Sequence, residues 1–579
     1  MRLTNVSHLR LPFGRLYGYD VEAGPPERRL PISFDQRRHV SAGSRPGSWM
    51  ALSLQLPGDV DRDDLASAWW AVMERHGTLR SAFSTDESGE LALGEIALLS
   101  GRWREHPIGH GQAVNDALRE VLDEACTPFA RPSHRLCVLE TAAGSTVIIG
   151  ADHAHVDMWS MLVIARDLLS ALAAISSGVT PALDAAPEFA EHTAALSEPG
   201  PPPPEVSRRW REILEAGDGF MPRFPLPLGE AAAHLERVEV RDVFDVHSSA
   251  AFSAQARADG VSTLTLALSA MAEVTRTVSG APLRAVFPVH SRFEEKWNDA
   301  VGWFITNSVL EVTDPAPQAT SRSVREAIEL GSHPLAEVLA PWGGMPEAPG
   351  MFAISWLDLR RLPVRIDSTG LDAQYVGATI RTDGVMLWFI LDENGLHLRC
   401  RYPDTEEARA NVGGWLDALV ARMQDIAAHS VGDVLDVDGE QLRVSRAKRA
   451  DVPAILDLLG EEMPSTEVRD RLHAAITRDR SHYLAVVRDA SGAVVGTMEL
   501  TFVPGFSQGG TLRLEVAGFR AITSDIGAAM LRWVHEQGIN RGADLTQMTT
   551  EVDRELVTDL GYTPEQGRFV LRLSDDSDG

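Results

Sequence analysis

The stretch GADHAHVDMWSMLVIARDLL, residues 150–169, holds the most informative local pattern in the sequence. A predicted strand ends at its first residue, and an amphipathic helix is predicted over 158–178. His153, His155 and Asp157 crowd the turn between them. A neutral imidazole held on such a turn can accept a proton near pH 7, although a buried structural histidine or a metal ligand would look the same. No third or fourth ligand lies nearby at metal-site spacing, which disfavours a metal.

Short strands and amphipathic helices alternate along the rest of the chain. A helix is predicted over 61–77, where apolar residues recur at helical spacing and Asp61 can cap the first turn. The predicted strands fall in both halves of the chain, at 52–58, 283–289, 305–312 and 385–391. The sequence therefore predicts a mixed α/β (α+β) protein.

Two stretches are typical of boundaries between folding units. Residues 197–207, SEPGPPPPEVS, contain four consecutive prolines, which suit a stiff, extended connector. Residues 428–442 are acidic and contain glycine, and a new alternation of helix and strand begins after them. These boundaries predict three domains, at 1–200, 201–435 and 440–579.

Composition and charge restrict the class of partner. The 579 residues carry a formal net charge of −28, so the protein repels phosphate backbones, and no basic patch is visible in the sequence. Three cysteines, odd in number and far apart, build no disulfide framework. The first twenty residues lack a signal-peptide core, and uninterrupted apolar runs are far shorter than the ~20 residues of a membrane span. The sequence predicts a cytoplasmic protein without nucleic-acid or membrane partners, metal or tightly bound cofactor.

Four motifs follow one another over roughly residues 30–430. They are S-x-x-Q-x-R at 33–38, R-H-x-x-L-R-S-x-F at 75–83, D-H-x-x-x-D-M-x-S at 152–160, and Val301, Gly302, Phe304 and Asn307 after an arginine motif that contains Arg292. In this order and at these separations they resemble the motifs of nonribosomal peptide synthetase condensation domains. The same superfamily includes chloramphenicol acetyltransferase, wax-ester synthases and polyketide-associated acyltransferases.

The resemblance implies two chloramphenicol-acetyltransferase-like lobes, 1–200 and 201–435, in a V shape with a tunnel between them. A pantetheine thioester on a carrier protein or CoA would enter from one face and an amine or hydroxyl acceptor from the other. His153 would orient and deprotonate the acceptor, and Asp157 would pair with Arg292 to hold the turn. The residues that would support the turn or line the tunnel are Asp152, Met158, Trp159, Ser160, Gly302 and Asn307.

Two positions depart from the family pattern. Asp152 stands in place of the first motif histidine, and its carboxylate next to His153 should raise the pKa of that imidazole. Met158 replaces the motif glycine, which predicts a reshaped turn or a narrower acceptor pocket. A condensation fold that only binds acylated carrier proteins is therefore an alternative to catalysis.

Residues 443–573 resemble the GCN5-related N-acetyltransferases (GNAT) in their opening strand and helix, central hairpin and closing L-G-Y. The family's glycine-rich turn, whose N–H groups hold the acetyl-CoA pyrophosphate, reads FRAITSDIGAAML here. Only Gly527 of that motif remains, Asp525 would repel a diphosphate, and Val557 stands where a tyrosine is expected. The resemblance implies a degenerate GNAT domain kept for packing or docking, and an active N-acetyltransferase is the alternative.

Together these patterns predict a stand-alone condensation-type acyltransferase. It would transfer an acyl or aminoacyl group from a pantetheine thioester to an amine or hydroxyl, forming an amide or ester in specialised-metabolite biosynthesis, such as that of nonribosomal peptides and antibiotics. An acyl or peptidyl carrier protein and a small amine or alcohol are the expected partners.

Overall fold

A computed structural model shows a chain that divides into two compact units. Unit 1 comprises Met1–Asp242, Leu268–Asp392 and His397–Leu419, and unit 2 comprises Val243–Ala267, Glu393–Leu396 and Val420–Gly579. The structure describes residues 1–573 except 57, 59, 87, 143, 197–200, 429, 431–432, 463–464, 466–467, 469–470, 472–475, 477–480, 506–510, 541, 550–552 and 566–567.

The first 200 residues contain nine strands and five α-helices within the part that the structure describes. The strands are β1 (Arg2–Asn5), β2 (Arg15–Ala23), β3 (Arg29–Leu30), β4 (Trp49–Leu56), β5 (Ser81–Thr85), β6 (Leu91–Glu95), β7 (Leu98–His106), β8 (His134–Thr141) and β9 (Gly144–Asp152). The helices are α1 (Phe34–Ser41), α2 (Arg62–Arg75), α3 (Val114–Ala125), α4 (Met158–Ser176) and α5 (Phe189–Leu196).

The middle of the chain continues the alternation. Its strands are β10 (His234–Phe244), β11 (Leu283–His290), β12 (Ile305–Val312), β13 (Phe352–Asp358), β14 (Gln374–Gly377), β15 (Arg381–Thr382), β16 (Val385–Asp392) and β17 (Gly395–Pro403). Its helices are α6 (Pro204–Glu215), α7 (Val246–Ala258), α8 (Thr263–Ser279), α9 (Pro317–Gly331), α10 (Leu335–Val338) and α11 (Glu406–Ala428).

Two large sheets organise unit 1. The first has the order β1-β14-β4-β9-β8-β2-β7, and the second has the order β12-β11-β13-β16-β17-β10-β15. Strand β14 enters the first sheet from far along the chain, where it pairs parallel to β1 and antiparallel to β4. A small third sheet has the order β3-β6-β5. The predicted mixed α/β class is confirmed.

Helix α4 is a core element of unit 1. By length and composition it is apolar enough to cross a membrane, with a mean hydropathy of 1.6, but half of its most apolar stretch is buried in the protein. Its Asp167 is buried and lies 2.8 Å from Nε2 of His76 and 3.2 Å from Arg75. The R-H pair of the second motif therefore ties α2 to α4. A search for uninterrupted apolar stretches does not find this helix, because Arg166 and Asp167 interrupt its apolar sequence.

The proline connector is shorter than the sequence predicts. Helix α6 begins at Pro204, because proline at the first helical position loses no hydrogen bond and has a fixed φ that suits a helix. Residues 197–200 of the predicted connector, and 429 and 431–432 of the second boundary, lie outside the described residues. The three predicted domain limits stay predictions.

Unit 2 contains one eight-stranded sheet, in the order β18-β19-β20-β21-β22-β23-β25-β24. Its strands are β18 (Asp433–Val437), β19 (Glu440–Arg446), β20 (His482–Arg488), β21 (Val494–Pro504), β22 (Leu512–Ala521), β23 (Leu545–Thr549), β24 (Thr563–Glu565) and β25 (Arg568–Arg572). Strands β22 and β23 run parallel, and the β21–β22 pair is antiparallel. Among the described residues, the named helices that follow β18 in sequence are α12 (Val452–Leu459), Ser524–Asn540 and Arg554–Asp559.

Candidate active site

The turn that carries His153 is held from its N-terminal side by two elements. Strand β9 ends at Asp152, and the backbone N–H of His153 donates to the carbonyl of Ser48 over 3.0 Å. Gln36 on α1 donates its side-chain amide to the carbonyl of Ala154 over 2.9 Å. The same Gln36 closes a capping box with Ser33, so the S-x-x-Q motif both starts α1 and fixes the turn.

Asp157 holds the other end of the turn. One of its carboxylate oxygens accepts a hydrogen bond from the backbone N–H of Ser160 over 2.7 Å, which caps α4. The other oxygen accepts from the backbone N–H of Phe304 over 3.1 Å. Because Phe304 belongs to the fourth motif, this carboxylate joins two motifs that lie far apart in sequence.

The structure brings Arg292 to the same carboxylate. Its Nη2 lies 3.5 Å from Oδ1 of Asp157 and donates to the Ser160 hydroxyl over 2.9 Å. Its Nη1 donates to the carbonyls of Trp297 and Ala300. The guanidinium carbon also lies 3.7 Å from the centroid of the Phe304 ring. Arg292 is only 5% exposed, and burial lowers its pKa against the attraction of Asp157. The pair is therefore a buried structural anchor.

Gly302, in the fourth motif, forms two backbone hydrogen bonds with the hydroxyl of Ser160. Its carbonyl accepts from the Ser160 hydroxyl over 2.8 Å, and its N–H donates back to that oxygen over 3.1 Å. A Cβ at this position would lie 2.3 Å from the Phe189 ring. Only glycine allows the chain to approach this closely.

We expect Gly302→Ala to lower the free energy of unfolding by about 1–3 kcal/mol, because the added methyl group overpacks the Phe189 contact. Chemical denaturation measures the change. The matched control is Gly413→Ala within α11, where a Cβ meets nothing within 4 Å. There alanine should stabilise the protein, by about 0.5–1 kcal/mol. Equal effects of the two substitutions would contradict the packing argument.

The His153 ring is half-buried beside Trp303. The ring centroids lie 4.3 Å apart at a tilt of 41°. Nδ1 is buried and has no hydrogen-bond partner among the residues that the structure describes. Burial lowers the pKa of His153 to about 4, against the attraction of the Asp152 and Asp157 carboxylates. The imidazole is therefore neutral at physiological pH.

The Asp152 carboxylate raises the pKa of His153, as the sequence predicts, but burial outweighs this effect. Its carboxylate accepts from the Ser48 hydroxyl over 2.6 Å and from the backbone N–H of Ala154 over 2.9 Å, and it also faces His39. Burial disfavours its charge, but several interactions, of which the hydrogen bond from His39 is the largest, outweigh burial and lower the pKa of Asp152. The negative charge is thus balanced by these partners, so burial dominates the pKa of His153.

The remaining predicted residues have identifiable structural contacts. The Met158 carbonyl accepts from the Tyr375 hydroxyl over 2.7 Å, and its side chain packs against the apolar core of unit 1. Trp159 donates from Nε1 to the carbonyl of Asn298, and Asn307 on β12 donates to the Asp35 carboxylate. Gly527 lies in unit 2, in the first turn of the helix Ser524–Asn540, where its Cβ position is 3.0 Å from the Leu556 side chain.

Sequence reasoning missed two rings next to His153, and it named a third, His155 on the same turn, without giving it a role. Trp303 is a variable position inside the fourth motif, and His39 directly follows the first. His155, on the turn itself, is buried with both ring nitrogens unpartnered among the described residues, and it packs edge-on against Phe83 at 5.3 Å. Burial lowers the pKa of His155, so it is a neutral core residue. The position of Trp303 within a recognised motif was the available signal.

Comparisons with known proteins identify the family of the chain. Residues 30–329 match the family model described as the condensation domain. The acyltransferase PapA3 of Mycobacterium tuberculosis is 24% identical over 430 residues, which cover 69% of this chain and 89% of that protein. A probable non-canonical nonribosomal peptide synthetase of Salinispora arenicola, CymA, is 28% identical over 330 residues, which cover 54% of this chain and 4% of that protein.

Solved structures show the same fold. The PapA2 acyl transferase superposes with a TM-score of 0.66 at 20% identity, covering 74% of this chain and all of that one. The first condensation domain of the calcium-dependent antibiotic synthetase superposes with a TM-score of 0.57 at 15% identity, covering 71% of this chain and 98% of that one. These similarities support an acyltransferase enzyme of the condensation type. Since the family model matches more than half of its residues, the chain belongs to the condensation-domain family.

Proposed function

We propose that this enzyme transfers an acyl or aminoacyl group from a pantetheine thioester, on a carrier protein or CoA, to an amine or hydroxyl. The product would be an amide or ester in specialised-metabolite biosynthesis. The observation that carries the proposal is a neutral, half-buried imidazole at His153 on a turn anchored at both ends. The family membership and the similarity to PapA3 support the same reaction class.

In the proposed step the acceptor nitrogen or oxygen attacks the thioester carbonyl carbon, and Nε2 of His153 takes the acceptor's proton. The tetrahedral intermediate then loses the pantetheine sulfur as the C–S bond breaks, and the proton passes from His153 to the departing thiolate. A pKa of about 4 makes the ring a weak base, so it accepts the proton as bond formation acidifies the acceptor rather than beforehand. Alignment of the two substrates would supply most of the rate gain, with effective molarities of ~10⁵ M or more.

Intact-protein mass spectrometry tests the reaction. An acyl-loaded carrier protein is mixed with the enzyme and a panel of amines and alcohols. Acyl loss that requires both enzyme and acceptor, with a matching amide or ester, supports transfer. Binding of the carrier without acyl loss would overturn the proposal in favour of a non-catalytic carrier-binding protein. Parallel reactions with acyl-CoA distinguish the two thioester sources.

The pH profile of kcat/KM should reflect the low pKa of His153. Because the neutral ring is the active form, activity attributable to it should be level down to about pH 5 and fall through about pH 4. An acid limb centred near 6.5, the ordinary value for histidine, would contradict the burial argument. Circular dichroism at each pH is the control, since burial also lowers the pKa of His134 and His397 to about 4 and protonation there favours unfolding.

We further propose that residues 440–579 form a degenerate GNAT-like domain that has lost acetyl-CoA binding. The support is the order of elements: strand β19 and helix α12, the β21–β22 hairpin, then the helix Ser524–Asn540 and strand β23. Asp525 is exposed in the first turn of that helix, where it would oppose a diphosphate, and Val557 is fully buried. Calorimetric titration with acetyl-CoA tests this; binding would restore the N-acetyltransferase alternative.

We place the enzyme in the cytoplasm. The support is that Cys126, Cys137 and Cys400 are all buried free thiols, as suits a reducing compartment.

A further inference from the structure

His39 and Asp152 form a pair directly behind the His153 turn. His39 lies on α1, and its Nε2 is 3.3 Å from Oδ1 of Asp152, the last residue of β9. Asp152 is fully buried, and the His39 side chain is only 11% exposed. The pair therefore interacts in a water-poor environment, where a charged hydrogen bond is stronger than at the surface.

Arg45 determines which nitrogen of His39 carries the proton. Its Nη2 lies 3.0 Å from Nδ1 of His39, and its Nη1 donates to the carbonyls of His39 and Gly43. A guanidinium only donates hydrogen bonds, so Nδ1 must be the acceptor. His39 is then neutral, and its Nε2–H points to the Asp152 carboxylate.

The Asp152 carboxylate connects His39 by hydrogen bonds to the turn that carries His153. Oδ1 of Asp152 accepts from the backbone N–H of Ala154, and Oδ2 accepts from the hydroxyl of Ser48. The carbonyl of Ser48 in turn accepts from the backbone N–H of His153. His39 also contacts Trp303 edge-on at 5.3 Å between centroids, and Trp303 packs against His153. Two contact routes thus lead from His39 to His153.

We infer that the Arg45–His39–Asp152 chain is a positioning device for His153. The first motif position holds a carboxylate, and α1 supplies the imidazole from outside the motif. The chain acts through the hydrogen bonds that His39 forms as its Nε2–H tautomer, and His39 exchanges no proton with the substrate. This inference rests on the proposed acyl transfer at His153.

Two substitutions of His39 separate positioning from proton transfer. His39→Gln keeps an N–H donor for Asp152 and a carbonyl acceptor for Arg45, but it cannot titrate. His39→Phe keeps the ring and its contact with Trp303 but removes both hydrogen bonds. We expect His39→Gln to retain the wild-type kcat and His39→Phe to lose ~10-fold or more in kcat, with KM for both substrates unchanged, because misplacement of a catalytic group lowers the rate without affecting binding.

Every other pattern overturns the inference. Full activity in both variants would show that the chain does not position His153. Equal loss in both would show that an N–H donor and an acceptor at this position do not suffice, and would overturn the inference. The matched control is His110→Gln at an exposed position, which should change neither kcat nor KM. Circular dichroism and the thermal midpoint verify that each variant folds.

A spectroscopic measurement is independent of turnover. In the full-length chain labelled with ¹⁵N-histidine, His39 should show an unprotonated Nδ1 and a protonated Nε2 at pH 7, with its signals assigned from their loss in His39→Gln. A doubly protonated ring, or a proton on Nδ1, would overturn the inference. Arg45→Ala removes the donor to Nδ1, so that the ring proton of His39 should no longer be confined to Nε2. If the wild type turned over no thioester, the proposed function would fail, while these spectra would still decide the tautomer.

Discussion

His153→Ala should reduce turnover by ~10²-fold or more, because the variant has no group to take the acceptor's proton. The ring is half-buried against Trp303 and its proposed part is proton transfer, so the loss should fall on kcat rather than on the binding of either substrate. Single-turnover assays with a purified acyl donor and acceptor measure the effect.

A second variant separates proton transfer from orientation. His153→Gln can still donate or accept a hydrogen bond, but it cannot carry a proton from acceptor to thiolate. It should therefore be nearly as impaired as His153→Ala. The folding control is the thermal midpoint, which should move little in His153→Gln because the two side chains have similar size. Unchanged turnover in either folded variant would remove His153 from the mechanism.

Arg292→Met should lower the free energy of unfolding by about 3–5 kcal/mol, because it leaves the buried Asp157 carboxylate without its charged partner. The same change removes hydrogen bonds to two carbonyls and to the Ser160 hydroxyl. Methionine is close in size and apolar, so the loss of charge and hydrogen bonds outweighs any loss of packing.

The matched control is Arg208→Met on α6. That side chain is 71% exposed, and its nitrogen lies 3.7 Å from the Glu212 carboxylate. An exposed pair of this kind contributes about 0–1 kcal/mol, so the control should unfold almost as the wild type does. Similar losses in the two variants would contradict a buried anchor at Arg292.

The parts of the fold that the sequence predicts best are those set by local periodicity. Asp61 caps α2 as expected, and β12 occupies the predicted residues 305–312. Proline gave a less reliable signal, since Pro204 starts a helix instead of prolonging a connector. Helix α4 combines a membrane-like composition with a buried Asp167, which is explained by its contacts with Arg75, His76 and Arg166.

The candidate site was predictable as a set of residues but not as an electrostatic environment. The motifs predicted that His153, Asp157 and Arg292 belong to one site. In the structure, Nη2 of Arg292 lies 3.5 Å from Oδ1 of Asp157. The pKa of His153 depends instead on burial and on where the Asp152 carboxylate points. Those depend on His39 and Ser48, which are more than 100 residues away in sequence from Asp152, so no local pattern could reveal them.

Strand β14 has a consequence for any attempt to separate or exchange the two halves of unit 1. It supplies the pairing partner for β1 and shields the edge of β4, although more than 300 residues separate it from either strand. A fragment cut at the prolines would keep β1 with no neighbour and expose a hydrogen-bonding edge prone to aggregation. Chimeras built from related proteins should therefore not be joined simply at the proline-rich segment. Residues 374–377 should come from the same parent as the amino-terminal half, so that β1 and β4 keep their pairing strand.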